Sequence, residues 1–143
     1  MKFINEANIT FPSNSSNESF ARMSVAAFVS QLDPTVEELA EIKTMVSEAV
    51  TNCVVHAYEN TIGLVRIRVQ ISDSRAVRIT VKDTGKGIED VETAKQPCFT
   101  TGSEDRAGMG FTIMESFSDK LRVKSAPGRG TSVIMEKKII KRG

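Results

Sequence analysis

Two neighbouring runs of strict alternation constrain the fold of this 143-residue chain more than any other feature. In the first, Val65, Ile67, Val69 and Ile71 alternate with Arg66, Arg68 and Gln70; in the second, Val77, Ile79 and Val81 alternate with Arg78, Thr80 and Lys82. Strand side chains point to opposite faces in turn, so each run presents one apolar and one polar face. The short SDSR link between them predicts an antiparallel hairpin with one face on a core. The next inward position after Val81 belongs to a carboxylate, Asp83. Burying it unpaired is costly, so the position makes sense only if something donates hydrogen bonds to it.

The remaining elements are read from period and punctuation. FINEANITF predicts an edge strand, and PSNSSN a loop ahead of a helix from Ser19 to Leu32 carrying Phe20, Met23, Ala27 and Phe28 at helical spacing. Asp33 and Pro34 end it. Thr35 then opens TVEE, a capping-box pattern with Glu38, ahead of a long helix ending near Tyr58 whose stripe is Leu39, Ile42, Val46, Ala49, Val50, Cys53 and Ala57. The stretch from Thr84 to Gly108 has little periodicity and is expected as a long binding loop. GFTIMESF reads as a third helix, and KLRVKS and TSVIMEKKI as strands joined by a PGRG turn. Helices before and between antiparallel hairpins predict an α+β fold, a two-layer sandwich with helices on one face of a mixed, mostly antiparallel sheet. The whole of 1–143 is expected to be one domain, with roughly two-thirds of its unfolded surface buried.

The charge balance, 19 basic against 18 acidic residues, gives no compositional support for a broad grip on nucleic acid or anionic lipid. No apolar run approaches a membrane span and the start lacks a signal-peptide pattern, so a cytoplasmic protein without membrane or direct nucleic-acid partners is expected. Cys53 and Cys98 make no metal-ligand spacing and are read as thiols.

Three further motifs bear on chemistry. Asp83 is followed by TGKG, where Gly85 and Gly87 let backbone approach a ligand; an aromatic base with an exocyclic amine would satisfy the carboxylate. The plainer alternative is an Asp that bonds its own turn. Glu48 and Asn52 stand four apart, one helical turn, and are suited to a metal ion or a nucleophile, or else are a solvated helix edge. Gly108 and Gly110 precede a helix, whose free amides and dipole form an anion site, although glycine there is also ordinary loop chemistry.

Taken in order, ExxxN, DTGKGI, GMGF and GRGT resemble the ATP-binding domain shared by gyrase, Hsp90, sensor histidine kinases and MutL. NESFAR, QPCFTTG and GMGFTIMESF are similar to its branch of small serine kinases that act as anti-sigma factors, closest to those of the sporulation factor sigma F. The resemblance implies the Bergerat ATP-binding fold, ATP or ADP with Mg²⁺ as cofactors, and phosphorylation of an anti-anti-sigma protein on serine. It implies that Asp83 accepts from the adenine amino group, with Thr131 joining through water, that Asn52 holds Mg²⁺, and that Glu48 is the general base. Gly85, Gly87, Thr100, Gly108, Gly110 and Phe111 would shape the nucleotide site, and Arg106 would stand near the γ-phosphate. Glu18 and Arg22 would meet partners, among them sigma F, and a homodimer is implied.

A P-loop and the protein-kinase Lys and HRD set are absent. A sensor histidine kinase would also need a long dimerisation helix with a phosphorylated His before this domain, and about 30 residues precede the second helix. The single histidine, His56, is read as structural. Two other classes stay open: a nucleotide-gated binding module that transfers no phosphate, and a plain structural subunit.

Overall fold

The alternating runs become the middle of a five-stranded sheet in the computed structural model, which describes residues 1–58, 61–87 and 109–140. The strands are β1 (Phe3–Pro12), β2 (Leu64–Ser72), β3 (Ala76–Asp83), β4 (Lys120–Ala126) and β5 (Gly130–Lys138). They lie in the order β1-β2-β3-β5-β4, and every described pairing is antiparallel, so the sheet expected as mixed and mostly antiparallel is antiparallel throughout. Register carries the alternation across the sheet. Val69 faces Ile79 and Ile79 faces Met135, all inward and buried, while Arg68, Thr80 and Ile134 form the next row on the other face.

Among the described residues three α-helices cover the inner face: α1 (Glu18–Val29), α2 (Val36–Thr51) and α3 (Met109–Phe117). The capping box at the start of α2 is present in full. Thr35 Oγ1 accepts from the Glu38 amide at 3.0 Å, and Glu38 Oε1 accepts from the Thr35 amide at 2.9 Å. From that start the stripe of Ile42, Val46, Ala49, Val50 and Cys53 is buried against the strands. Met45, which the stripe omitted, is buried with them. Among the described residues no helix is long and apolar enough to cross a membrane.

The face expected for α1 is corrected. Its buried residues are Ala21, Val25, Ala26 and Val29, whereas Phe20 and Met23 are 52% and 53% exposed. Small side chains let α1 lie close on α2, and the larger residues are turned to the rim, where Phe20 meets Phe11 edge to face at 6.2 Å between centroids. Glu18 and Arg22 do not pair with each other in the way an exposed i, i+4 ion pair would. Glu18 accepts from Thr51 Oγ1 at 2.9 Å, and Arg22 reaches Ser47 Oγ at 3.3 Å, so both tie α1 to α2. The expected long helix also changes form before it ends: Asn52–Ala57 wind as a π-helix, with the Tyr58 amide reaching back to the Cys53 carbonyl at 3.2 Å.

Candidate functional site

Asp83 ends β3 between Val65 of β2 and Thr131 of β5, and its side chain is 5% exposed. Its donors come from the protein. Oδ1 accepts from the Gly85 amide at 2.9 Å and the Thr131 amide at 3.2 Å, and Oδ2 from the Cys53 thiol at 3.5 Å. The Gly85 bond is the local turn that Asp residues often make. The other two are long-range. A thiol is a weak donor, so Oδ2 keeps accepting capacity for a stronger one. Burial pushes the Asp83 carboxyl above its ordinary range, opposed by the donors at Gly85, Cys53 and Thr131. Burial also pushes the Cys53 thiol well up, helped by the neighbouring Asp83 charge, which keeps it the donor.

The segment after Asp83 is packed directly against the π-helical end. The Lys86 amide donates to the Ala57 carbonyl at 3.0 Å, and a Cβ on Gly85 would collide with that carbonyl. Gly87 has φ +78°, a conformation that side chains rarely adopt. Both glycines are therefore required by the backbone path. The Thr131 hydroxyl bonds Ser125 Oγ at 2.7 Å, and its amide serves Asp83. A groove at this end of the sheet is lined by Lys82, Asp83, Lys124, Arg129 and Thr131.

Glu48 and Asn52 occupy successive turns where α2 passes into the π-helix. Glu48 is 6% exposed, so the solvated-edge reading does not hold for it. Asn52 Nδ2 is buried and has no hydrogen-bond partner among the described residues. A buried amide left this way costs free energy unless a ligand or water completes it. Gly110, in the first turn of α3, lies beside this amide: a Cβ there would sit 3.4 Å from Asn52 Oδ1. The missing side chain leaves the α3 start open toward Asn52, and Phe111, next in sequence, is buried in the core.

These residues fit a Mg²⁺-bound phosphate group. Mg²⁺ is held by few protein oxygens, with phosphates and water supplying the rest, and an Asn side chain beside a helix N-terminus offers one oxygen and a setting for anions. No cluster of three or more His, Cys, Asp or Glu stands ready for a metal among the described residues. Thr100, Arg106 and Gly108 lie outside the described residues. Cys53 and Tyr58 were not singled out from sequence as site residues. Cys53 read as part of the core stripe, and Tyr58 marked only a helix end, although it is the single tyrosine of the chain.

Comparison with known proteins follows the same outline. Residues 11–137 match the family described as Histidine kinase-like ATPase domain. The chain is 60% identical over 140 residues, 97% of each chain, to the anti-sigma F factor of Caldanaerobacter subterraneus subsp. tengcongensis. It is 58% identical, again over 97% of each chain, to the anti-sigma F factor of a Thermoanaerobacter species. Among solved structures, the RsbU and RsbW domains of a Mycobacterium tuberculosis protein superpose with a TM-score of 0.69 at 17% identity, over 95% of this chain and 32% of that one. That likeness concerns the fold.

Proposed function

The chain belongs to the histidine kinase-like ATPase domains and, within them, to the anti-sigma F factors, and from that premise we propose that it is an ATP-dependent serine kinase that inhibits a sporulation sigma factor. One ATP-binding domain spans 1–143. In the ATP-loaded form it holds sigma F, and it phosphorylates an anti-anti-sigma protein on serine. The observation that carries the reading is the buried Asn52 Nδ2, a donor without a partner among the described residues and suited to a phosphate oxygen, beside the glycine in the first turn of α3.

In this reading Asp83 accepts the exocyclic amine of adenine on Oδ2, within a turn shaped by Gly85 and Gly87. Thr131 holds Oδ1 of Asp83 in place through its amide. Asn52 supplies one oxygen to Mg²⁺, which when bound neutralises phosphate charge. Gly110, with Gly108, leaves the helix amides free for phosphate, and Phe111 anchors that helix start in the core. Glu48 takes the proton of the attacking serine, Thr100 binds the nucleotide and Arg106 serves catalysis at the γ-phosphate. Glu18 and Arg22, on the α1 flank beside exposed Phe20 and Met23, form the partner surface. Among the described residues the outer edge of β1 has no partner strand, and a second copy pairs there.

The test is capture of partners from extract by the purified protein in Mg·ATP and in Mg·ADP, with phosphoserine mapped on whatever binds. A sigma factor retained in ATP and a small protein newly phosphorylated on serine are expected. Identical partners in both nucleotides with no phosphate transferred would favour a nucleotide-gated binding module. Glu48→Gln is expected to lower the transfer rate by roughly 10²–10⁴ while retaining nucleotide affinity. Wild-type transfer by that variant would remove Glu48 from the base role.

A further inference from the structure

The hydroxyl of Tyr58 sits at a junction that the proposed chemistry leaves unexplained. It donates to the Leu64 carbonyl at 2.8 Å, receives the Thr84 amide at 2.7 Å, and stands 3.2 Å from Thr84 Oγ1. Thr84 directly follows Asp83, and Leu64 directly precedes Val65, the β2 residue opposite Asp83. The backbone of Tyr58 closes the π-helix that begins at Asn52. One side chain thus joins the end of the Asn52 segment to the turn that carries Asp83. The neighbouring bond from the Lys86 amide to the Ala57 carbonyl runs in parallel, so two successive residues of one segment grip the other.

The ring is fixed as firmly as the hydroxyl. Tyr58 is 7% exposed, and a Cβ on Gly63 would overlap its ring. A tyrosine needed only for bulk would not bring its oxygen onto three polar groups at hydrogen-bond distance, and π-helical turns recur at functional sites because they re-aim side chains.

We infer that Tyr58 is a positioning residue for base recognition: its hydroxyl holds the Asp83–Gly85 turn in register with the segment that starts at Asn52. The inference rests on the adenine-binding reading above. Without the hydroxyl, the Thr84 amide loses its acceptor, the turn gains freedom, and Oδ2 of Asp83 is no longer aimed at one donor. The loss falls on the base, because the phosphate end is built from Asn52 and the α3 start, which Tyr58 does not touch through its hydroxyl.

The test is calorimetric titration of Mg·ATP and of the Mg complex of purine riboside triphosphate, which lacks the exocyclic amine, into wild type and Tyr58→Phe. Wild type is expected to prefer ATP. Tyr58→Phe is expected to bind ATP about tenfold more weakly, with the purine analogue unchanged, so that the preference shrinks by the same factor. Gly63→Ala, which displaces the ring and keeps the hydroxyl, is expected to shrink it too, and decides the matter if Tyr58→Phe does not fold. An unchanged preference in the folded variants, including equal weakening of both ligands, would overturn the positioning role and leave the kinase reading standing. A wild type that binds ATP without preferring it over the analogue would overturn the Asp83 contact, and this inference with it. A wild type that binds neither would overturn the nucleotide reading itself.

Discussion

Asp83 and Asn52 are both polar side chains drawn into the interior, yet the protein surrounds one and leaves the other open. Asp83 has two backbone amides and a thiol around it, from its own turn, β5 and the π-helix. Asn52 has a buried amide nitrogen without a partner among the described residues, facing a glycine. One end of the candidate site is formed in the absence of ligand, and in the proposed reading the other is completed by it. A formed acceptor saves the cost of ordering on binding, whereas an incomplete one makes binding energy depend on what arrives. In the proposed reading the changing phosphate meets the unfinished end, which suits a protein whose partner surface is to differ between two nucleotides.

Acid acts on the Asp83 end first. Burial raises the Asp83 carboxyl, and the proposed contact needs it ionised, so adenine nucleotide affinity is expected to fall as pH drops through that raised value. The loss should approach tenfold per pH unit below it and vanish in Asp83→Asn, as read by calorimetry in several buffers. A flat profile in wild type would mean that the carboxylate does not meet the base.

A smaller effect separates binding from stability. Because the folded value of Asp83 lies above the unfolded one, the folded state holds its proton more tightly. The cost of burying the charge is therefore absent below the unfolded value and grows as pH rises through the folded value. Asp83→Asn retains an oxygen for the Gly85 and Thr131 amides and carries no charge. Without nucleotide it is expected to unfold at a higher denaturant concentration than wild type at neutral pH, with the gap closing in acid. A variant less stable than wild type at neutral pH would show that the donors outweigh burial.

The smallest effect lies at the other end of the same helix. Thr35→Ala removes the capping oxygen and is expected to cost about 1 kcal/mol in denaturant unfolding. Nucleotide affinity should stay at the wild-type level, since the cap lies several turns from Asn52. A parallel loss of affinity would indicate that α2 acts as one body from its cap to the site.

The hairpin, the capping box and the inward parity of Asp83 were legible because each depends on local period or on a side chain bonding its own neighbourhood. The α1 face was not. Hydrophobic spacing picks out large residues, whereas close helix packing selected Ala21, Val25, Ala26 and Val29 and turned Phe20 and Met23 outward. The donors to Asp83 were half legible. The Gly85 amide follows from turn chemistry, but the Thr131 amide and Cys53 thiol depend on strand order and on where α2 sits over β3. Parity put Thr131 inward, yet parity is silent on which protein neighbour its hydroxyl meets, and that neighbour is Ser125. The π-helix was hidden for a related reason, since widening a helix by one residue changes no residue type. Tyr58 therefore read as an end rather than as a tie between two segments.

Separability of the two ends is measured directly by titration of adenosine and of Mg·ATP into wild type, Asp83→Asn and Asn52→Ala. The prediction is that Asn52→Ala binds adenosine as wild type does and Mg·ATP far more weakly, while Asp83→Asn loses affinity for both. Equal loss of adenosine binding in the two variants, or full Mg·ATP affinity in Asn52→Ala, would contradict it.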